Sequence, residues 1–126
     1  MKLQAPLARV RGLGSAKDGT HHFWNQRLTA IALVPLTLWI MVSIVGMTAM
    51  DYETVSQWIR LPLNTALLLV FILALYFHAQ LGVQVVIEDY IHSEWQKIAC
   101  IILVKFLIIF TGLISALAVL KVFLGL

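Results

Sequence analysis

His78 stands in an apolar environment. Residues 66–77 before it carry no charged side chain, and Leu81, Val83, Val85, Val86 and Ile87 follow before the run ends at Glu88-Asp89-Tyr90. An ionisable residue inside a membrane helix costs free energy and marks a functional site by default. Of the four histidines it is the only one within a hydrophobic stretch. Three kinds of chemistry suit such a residue. It can bond to a Thr or Ser of a neighbouring span, an interaction worth ~0.6–2 kcal/mol. It can belong to a proton relay, although relays bring further intramembrane carboxylates, and none lies away from the ends of these stretches. It can also be an axial haem ligand. The chain has no Cys-x-x-Cys-His motif and a single cysteine, Cys100, so such a haem would be non-covalent, of the b type. A haem with two protein ligands would then draw the second from another subunit, because no other histidine lies at this depth.

Spacing adds detail. Asp89 is eleven residues after His78, close to three whole helical turns, so the two side chains leave one face of a helix ~16 Å apart. With Asp89 at the membrane boundary, His78 is near mid-membrane. Gly82 is one turn from His78 on that face, and the missing side chain leaves room for a flat ligand or a close-packed helix. Tyr90 lies at the interface, where tyrosine is common as belt residue. A phenol there can also donate to a quinone carbonyl, with Asp89, Glu88 and His92 near enough to move protons.

The elements that position these residues follow from composition. The chain has 126 residues, 61% hydrophobic and 12% charged, with a mean hydropathy of +0.93. Water-soluble domains carry about 25% charged residues, which argues against a soluble globule. Residues 29–50, 64–87 and 99–123 are each long enough to cross ~30 Å of hydrocarbon, giving an all-α membrane protein with three transmembrane helices in a heteromeric bundle. Residues 1–27 form a polar tail and interface segment, and residues 28–126 form the anchor. Pro35 falls inside the first span and Pro62 at the start of the second, with short loops expected at 51–60 and 90–97. No secretory signal is visible, and the basic start only faintly suggests a transit peptide.

Basic residues are unevenly spread. Lys2, Arg9, Arg11, Lys17, Arg27 and Lys97 flank one side of the spans, against Arg60 and Lys121 on the other. The positive-inside rule puts the N-terminus and the 90–97 loop in the cytoplasm or matrix. The net charge of +3 therefore bears on orientation, not on nucleic-acid binding. Lys105, inside the third span, reads as a snorkelling cation that can reach headgroups, an anionic lipid or Glu94.

Gly14-Ser15-Ala16-Lys17, then His21-His22-Phe23-Trp24-Asn25-Gln26-Arg27, then His78-x-x-x-Gly82 and Glu88-Asp89-Tyr90 resemble the smaller hydrophobic membrane anchor of bacterial succinate dehydrogenase, in its alphaproteobacterial form. The resemblance covers nearly the whole chain. It implies that His78 is an axial ligand of haem b, with the other ligand from a cytochrome b subunit. It further implies that Tyr90, with Asp89 beside it, hydrogen-bonds ubiquinone next to the iron–sulfur subunit. His21 and Arg27 would match the residues near the haem propionates and the subunit junction, with His22 a rival to His21. Partners would be the cytochrome b, iron–sulfur and flavoprotein subunits in a bacterial inner membrane, with the N-terminus cytoplasmic and the C-terminus periplasmic. The chain itself has no flavin fingerprint and no cysteine cluster, so succinate oxidation would occur on other subunits. A fumarate reductase anchor, a small transport subunit and a haem-free assembly subunit are the alternatives.

Overall fold

The computed structural model describes residues 17–126, all but a few of them helical. Helix α1 spans Lys17–Met47, α2 Tyr52–Arg60, α3 Pro62–Tyr90 and α4 Glu94–Leu124. Three of them, α1, α3 and α4, are long and apolar enough to cross a membrane. Lys2, Arg9 and Arg11, and the Gly14-Ser15-Ala16 part of the tail motif, lie outside the described residues.

Helix α1 begins well before the apolar span, so the interface segment up to Arg27 is helical from Lys17 in spite of Gly19. It also continues through Pro35. An aromatic pair and a cation–π contact mark its early turns: Phe23 meets Trp24 edge-on at 6.1 Å, and the Arg27 guanidinium lies 4.4 Å from the centre of the Phe23 ring.

The loop expected over 51–60 is instead a helix, α2. Asp51 caps it, its carboxylate accepting from the Thr54 backbone N–H at 3.0 Å and from the Thr54 hydroxyl. These bonds hold the exposed Asp51 carboxyl below the usual carboxylate range. Val55, Trp58 and Ile59 recur at helical spacing, so the nine-residue element is amphipathic and suits the membrane interface. Trp58 stacks on Trp39 of α1, with ring centres 5.5 Å apart and planes at 23°. The second expected loop shrinks to residues 91–93, because Ser93 starts α4 and Glu94 occupies its first turn.

Pro62 opens α3 at a position where its missing N–H costs nothing. Helix α3 is the centre of the layer and packs on both α1 and α4, while α2 rests on α3 and α4. The α3–α4 seam closes around Gly112. A Cβ there would lie 3.2 Å from the Tyr76 ring, and the Tyr76 hydroxyl is hydrogen-bonded to Ser115 at 3.0 Å. At the far end, α4 terminates at Gly125 in the left-handed region (φ 73°). The Arg60 side chain donates to the exposed Val122 carbonyl at 3.1 Å.

The layer has almost no core of its own. Leu81 and Ile87 are the buried apolar side chains among the described residues, and large apolar side chains on every span are exposed. Lipid covers such faces without penalty, and so do other helices.

Candidate functional site

His78 is half-buried on the face of α3 that packs against α1. Its Nδ1 lies 2.9 Å from the Thr29 hydroxyl oxygen of α1. Both residues are twelve positions from the helix ends on the same side, Lys17 of α1 and Tyr90 of α3, so both sit ~18 Å along their helices. The interhelical hydrogen bond expected as one option for His78 is therefore present. It engages one ring nitrogen only. Nε2 has no hydrogen-bond partner among the described residues and is not enclosed by them.

One turn further along α3, a Cβ added at Gly82 would meet nothing within 4 Å. The space at the Cβ position of Gly82 is therefore left open by the rest of this chain. Among the described residues, Gly112 on α4 is the glycine packed tightly against a neighbouring span. The groove of about 320 Å³ between α3 and α4, lined by Tyr76, Phe77, Gln80 and Gly112 among others, includes none of the residues singled out from the sequence.

Near the start of α1, His21 is exposed and His22 half-buried. His22 precedes Thr29 by seven residues, two turns, and so shares the face that meets α3; His21 and Arg27 point about 80° and about 160° away from Thr29. The His22 Nε2 is buried and has no hydrogen-bond partner among the described residues. Arg27 is exposed and engaged by Phe23.

At the other end of the site, α3 remains helical through Asp89 and Tyr90, which keeps Asp89 in line with His78. Both are exposed, Tyr90 at 79% of its area. Glu88 accepts from the Gln84 amide at 2.8 Å, and His92 is exposed in the following turn. Lys105 is exposed on α4 and is not paired with Glu94, which bonds Lys97 at 3.4 Å instead.

The donor set fits a b-type haem. An imidazole with one nitrogen hydrogen-bonded and the other open is the usual state of a metal-binding histidine, and a glycine one turn away leaves room for a flat macrocycle. No cluster of three or more His, Cys, Asp or Glu that could hold a bare metal ion exists among the described residues. Thr29, Gly112 and Tyr76–Ser115 escaped the sequence reading. A Thr or Ser partner for His78 was foreseeable in kind, but its position depends on how α1 and α3 register.

Fold and site together define a multi-pass helical membrane protein with a single histidine poised in its interior. The family described as succinate dehydrogenase/fumarate reductase transmembrane subunit matches residues 1–113. Similar chains named succinate dehydrogenase hydrophobic membrane anchor subunit occur in Rickettsia bellii strain RML369-C, 37% identical over 86% of each chain, and in Rickettsia conorii, 33% identical over 86% of each. Another with that name, from Paracoccus denitrificans, is 29% identical over 84% of this chain and 82% of its own. No solved structure matches. The chain belongs to the succinate dehydrogenase membrane-anchor family.

Proposed function

We propose that this chain is the hydrophobic anchor of a succinate:ubiquinone oxidoreductase, respiratory complex II of the tricarboxylic acid cycle and electron transport chain. It docks the flavoprotein and iron–sulfur subunits on the cytoplasmic side of a bacterial inner membrane. With a cytochrome b subunit it encloses a haem b and a ubiquinone site. The N-terminus and residues 91–93 face the cytoplasm, and the C-terminus faces the periplasm. The observation that carries this reading is the open Nε2 of His78 beside the open side of Gly82.

Each residue has a distinct task. His78 would hold haem b through its open Nε2, and haem b when bound supplies a one-electron redox centre. His22 and His21, with Arg27, lie toward the cytoplasmic end of α1, where cations would neutralise the two propionates. His22 has the better placement, because it shares the α3-facing side with Thr29. Tyr90 donates its phenol O–H to a quinone carbonyl at the interface. Asp89, Glu88 and His92 surround it with groups able to pass on the two protons that quinone reduction consumes. Exposure of Tyr90 and Asp89 in this chain accords with a site completed by neighbouring subunits. Anchors of fumarate reductases share the family description, and the direction of the couple depends on the quinone.

The test is the reduced-minus-oxidised optical spectrum of the complex purified from native membranes. The b-type band should be lost or shifted in His78→Ala with all subunits still assembled. An unchanged band and haem content in that variant would refute the ligand assignment.

A further inference from the structure

Thr29 has one hydroxyl proton and three polar neighbours: the Asn25 carbonyl at 2.8 Å, the Gln26 carbonyl at 3.0 Å and His78 Nδ1 at 2.9 Å. The carbonyls can only accept, so two arrangements are possible. In one, the hydroxyl donates to its own helix and accepts a proton from Nδ1. Every proton in the cluster then has an acceptor, and Nε2 is an unprotonated lone pair. In the other, the hydroxyl donates to Nδ1, and the proton moves to Nε2, which has no acceptor among the described residues. An N–H left without a partner in an apolar medium is the costlier choice.

We infer that Thr29 is a positioning residue for the axial ligand: its hydroxyl, held by the Asn25 and Gln26 carbonyls, accepts the Nδ1 proton of His78 and so fixes the tautomer and ring direction that expose the Nε2 lone pair. The inference rests on His78 being a haem ligand and adds the partner that prepares it. The relay is short and rigid. The Thr29 side chain is bonded to its own backbone three and four residues earlier, so the acceptor position is set by α1. The helix contact between α1 and α3 thus determines which imidazole nitrogen is available. A hydrogen bond from the distal nitrogen raises the basicity of a metal-bound imidazole. That favours the more highly charged ferric ion, so the bond lowers the haem potential.

The experiment uses the assembled complex in detergent with Thr29→Val, which keeps the shape and removes the hydroxyl, and Thr29→Ser, which keeps the hydroxyl. Readouts are haem content, the midpoint potential from an optical redox titration, and the low-spin ferric resonance spectrum. Thr29→Val should shift the ferric/ferrous equilibrium about tenfold toward ferrous haem, a rise of about 59 mV for one electron, and move the ferric resonances. Thr29→Ser should stay at the wild-type values. A Val variant with wild-type haem content, potential and resonances would overturn the inference. So would a Ser variant displaced as far as Val, which also decides the matter if Thr29→Val fails to hold haem. His78→Ala, run in parallel, separates the two levels. If it loses the b band while Thr29→Val changes nothing, only the role of Thr29 fails; if it keeps the band, the ligand reading fails first.

Discussion

Gly112 and Gly82 have opposite surroundings, and a matched pair of substitutions exploits this. At Gly112 a Cβ would sit 3.2 Å from Tyr76 Cγ and 3.5 Å from two further atoms of that side chain. Comfortable carbon contacts begin near ~3.5 Å, so the ring must retreat by a few tenths of an ångström even for alanine. Its hydroxyl is tied to Ser115, one turn beyond Gly112 on α4, and retreat strains that bond. Overpacking of this kind costs ~1–3 kcal/mol, against up to ~1 kcal/mol recovered when alanine replaces a helical glycine. Gly112→Ala should therefore cost ~0–2 kcal/mol and Gly112→Leu more than ~3 kcal/mol. At Gly82 the same leucine meets nothing near its Cβ within the chain. The chain's own packing should be unchanged to within about 1 kcal/mol, while the side chain should enter the space beside His78 and displace haem b if it binds there as proposed. Two measurements on the purified complex separate these effects: the haem-to-flavin ratio, and resistance to unfolding by sodium dodecyl sulfate. Gly112→Leu should lower resistance in haem-loaded and haem-depleted preparations alike. Gly82→Leu should lower the haem ratio roughly tenfold and resist unfolding as well as haem-depleted wild type. A Gly82→Leu complex with a full haem complement would refute the reasoning.

Three further outcomes are expected. Tyr90→Phe removes the phenol proton from an exposed interfacial site, so quinone reduction should fall on the order of 10²-fold while succinate oxidation with an artificial acceptor persists; equal loss of both would refute the quinone role. Arg60→Ala removes the side chain that binds the Val122 carbonyl, and amide exchange over residues 121–126 should accelerate, reflecting roughly 0.5–1 kcal/mol; unchanged exchange would show that the cap is idle. The Asp51 carboxyl is held low by Thr54, so its support for the start of α2 is complete above the ordinary carboxylate range and disappears as the pH falls through its lowered value. The Thr54 amide resonance should report that loss in wild type and be flat with pH in Asp51→Asn; a flat wild-type profile would contradict the cap.

Much of the architecture was legible because a bilayer imposes simple rules. Helix length follows from membrane thickness, and the apolar runs around His78 and after Ile98 left little choice. The alignment of His78 with Asp89 was legible too: α3 is unbroken between them, so eleven residues keep the two side chains on nearly one face. Local signals were read less well where competing ones overlapped. The charged residues Asp51 and Glu53 suggested a loop, yet in this position Asp51 is a cap and Glu53 a favourable first-turn charge for α2. The polar segment up to Arg27 carries Gly19, yet it is helical from Lys17, since a single glycine costs only ~1 kcal/mol in a helix. What no local pattern contains is the pairing between helices. Thr29 meets His78 across 49 residues of sequence, and Gly112 meets Tyr76 because of the α3–α4 register. Thr29, Thr37 and Thr48 look alike in the sequence; only packing distinguishes the one that bears on His78.

The scarcity of a core is itself informative. Between helices in lipid there is no hydrophobic drive, so a stable layer needs close packing or polar links. Among the described residues the spans are linked by a close contact at Gly112, a Tyr76–Ser115 bond and the Thr29–His78 bond, while α2 is tied to α1 by the Trp58–Trp39 stack and to α4 by the Arg60–Val122 bond. One of these few links involves the residue proposed to carry the redox centre. Binding of a group that recognises only the correctly paired α1 and α3 stabilises that pairing by mass action. If His78 holds haem b as proposed, haem insertion and assembly of the anchor become one thermodynamic event. On the proposed function, a single histidine suffices in this chain because neighbouring subunits would supply the remainder of its site.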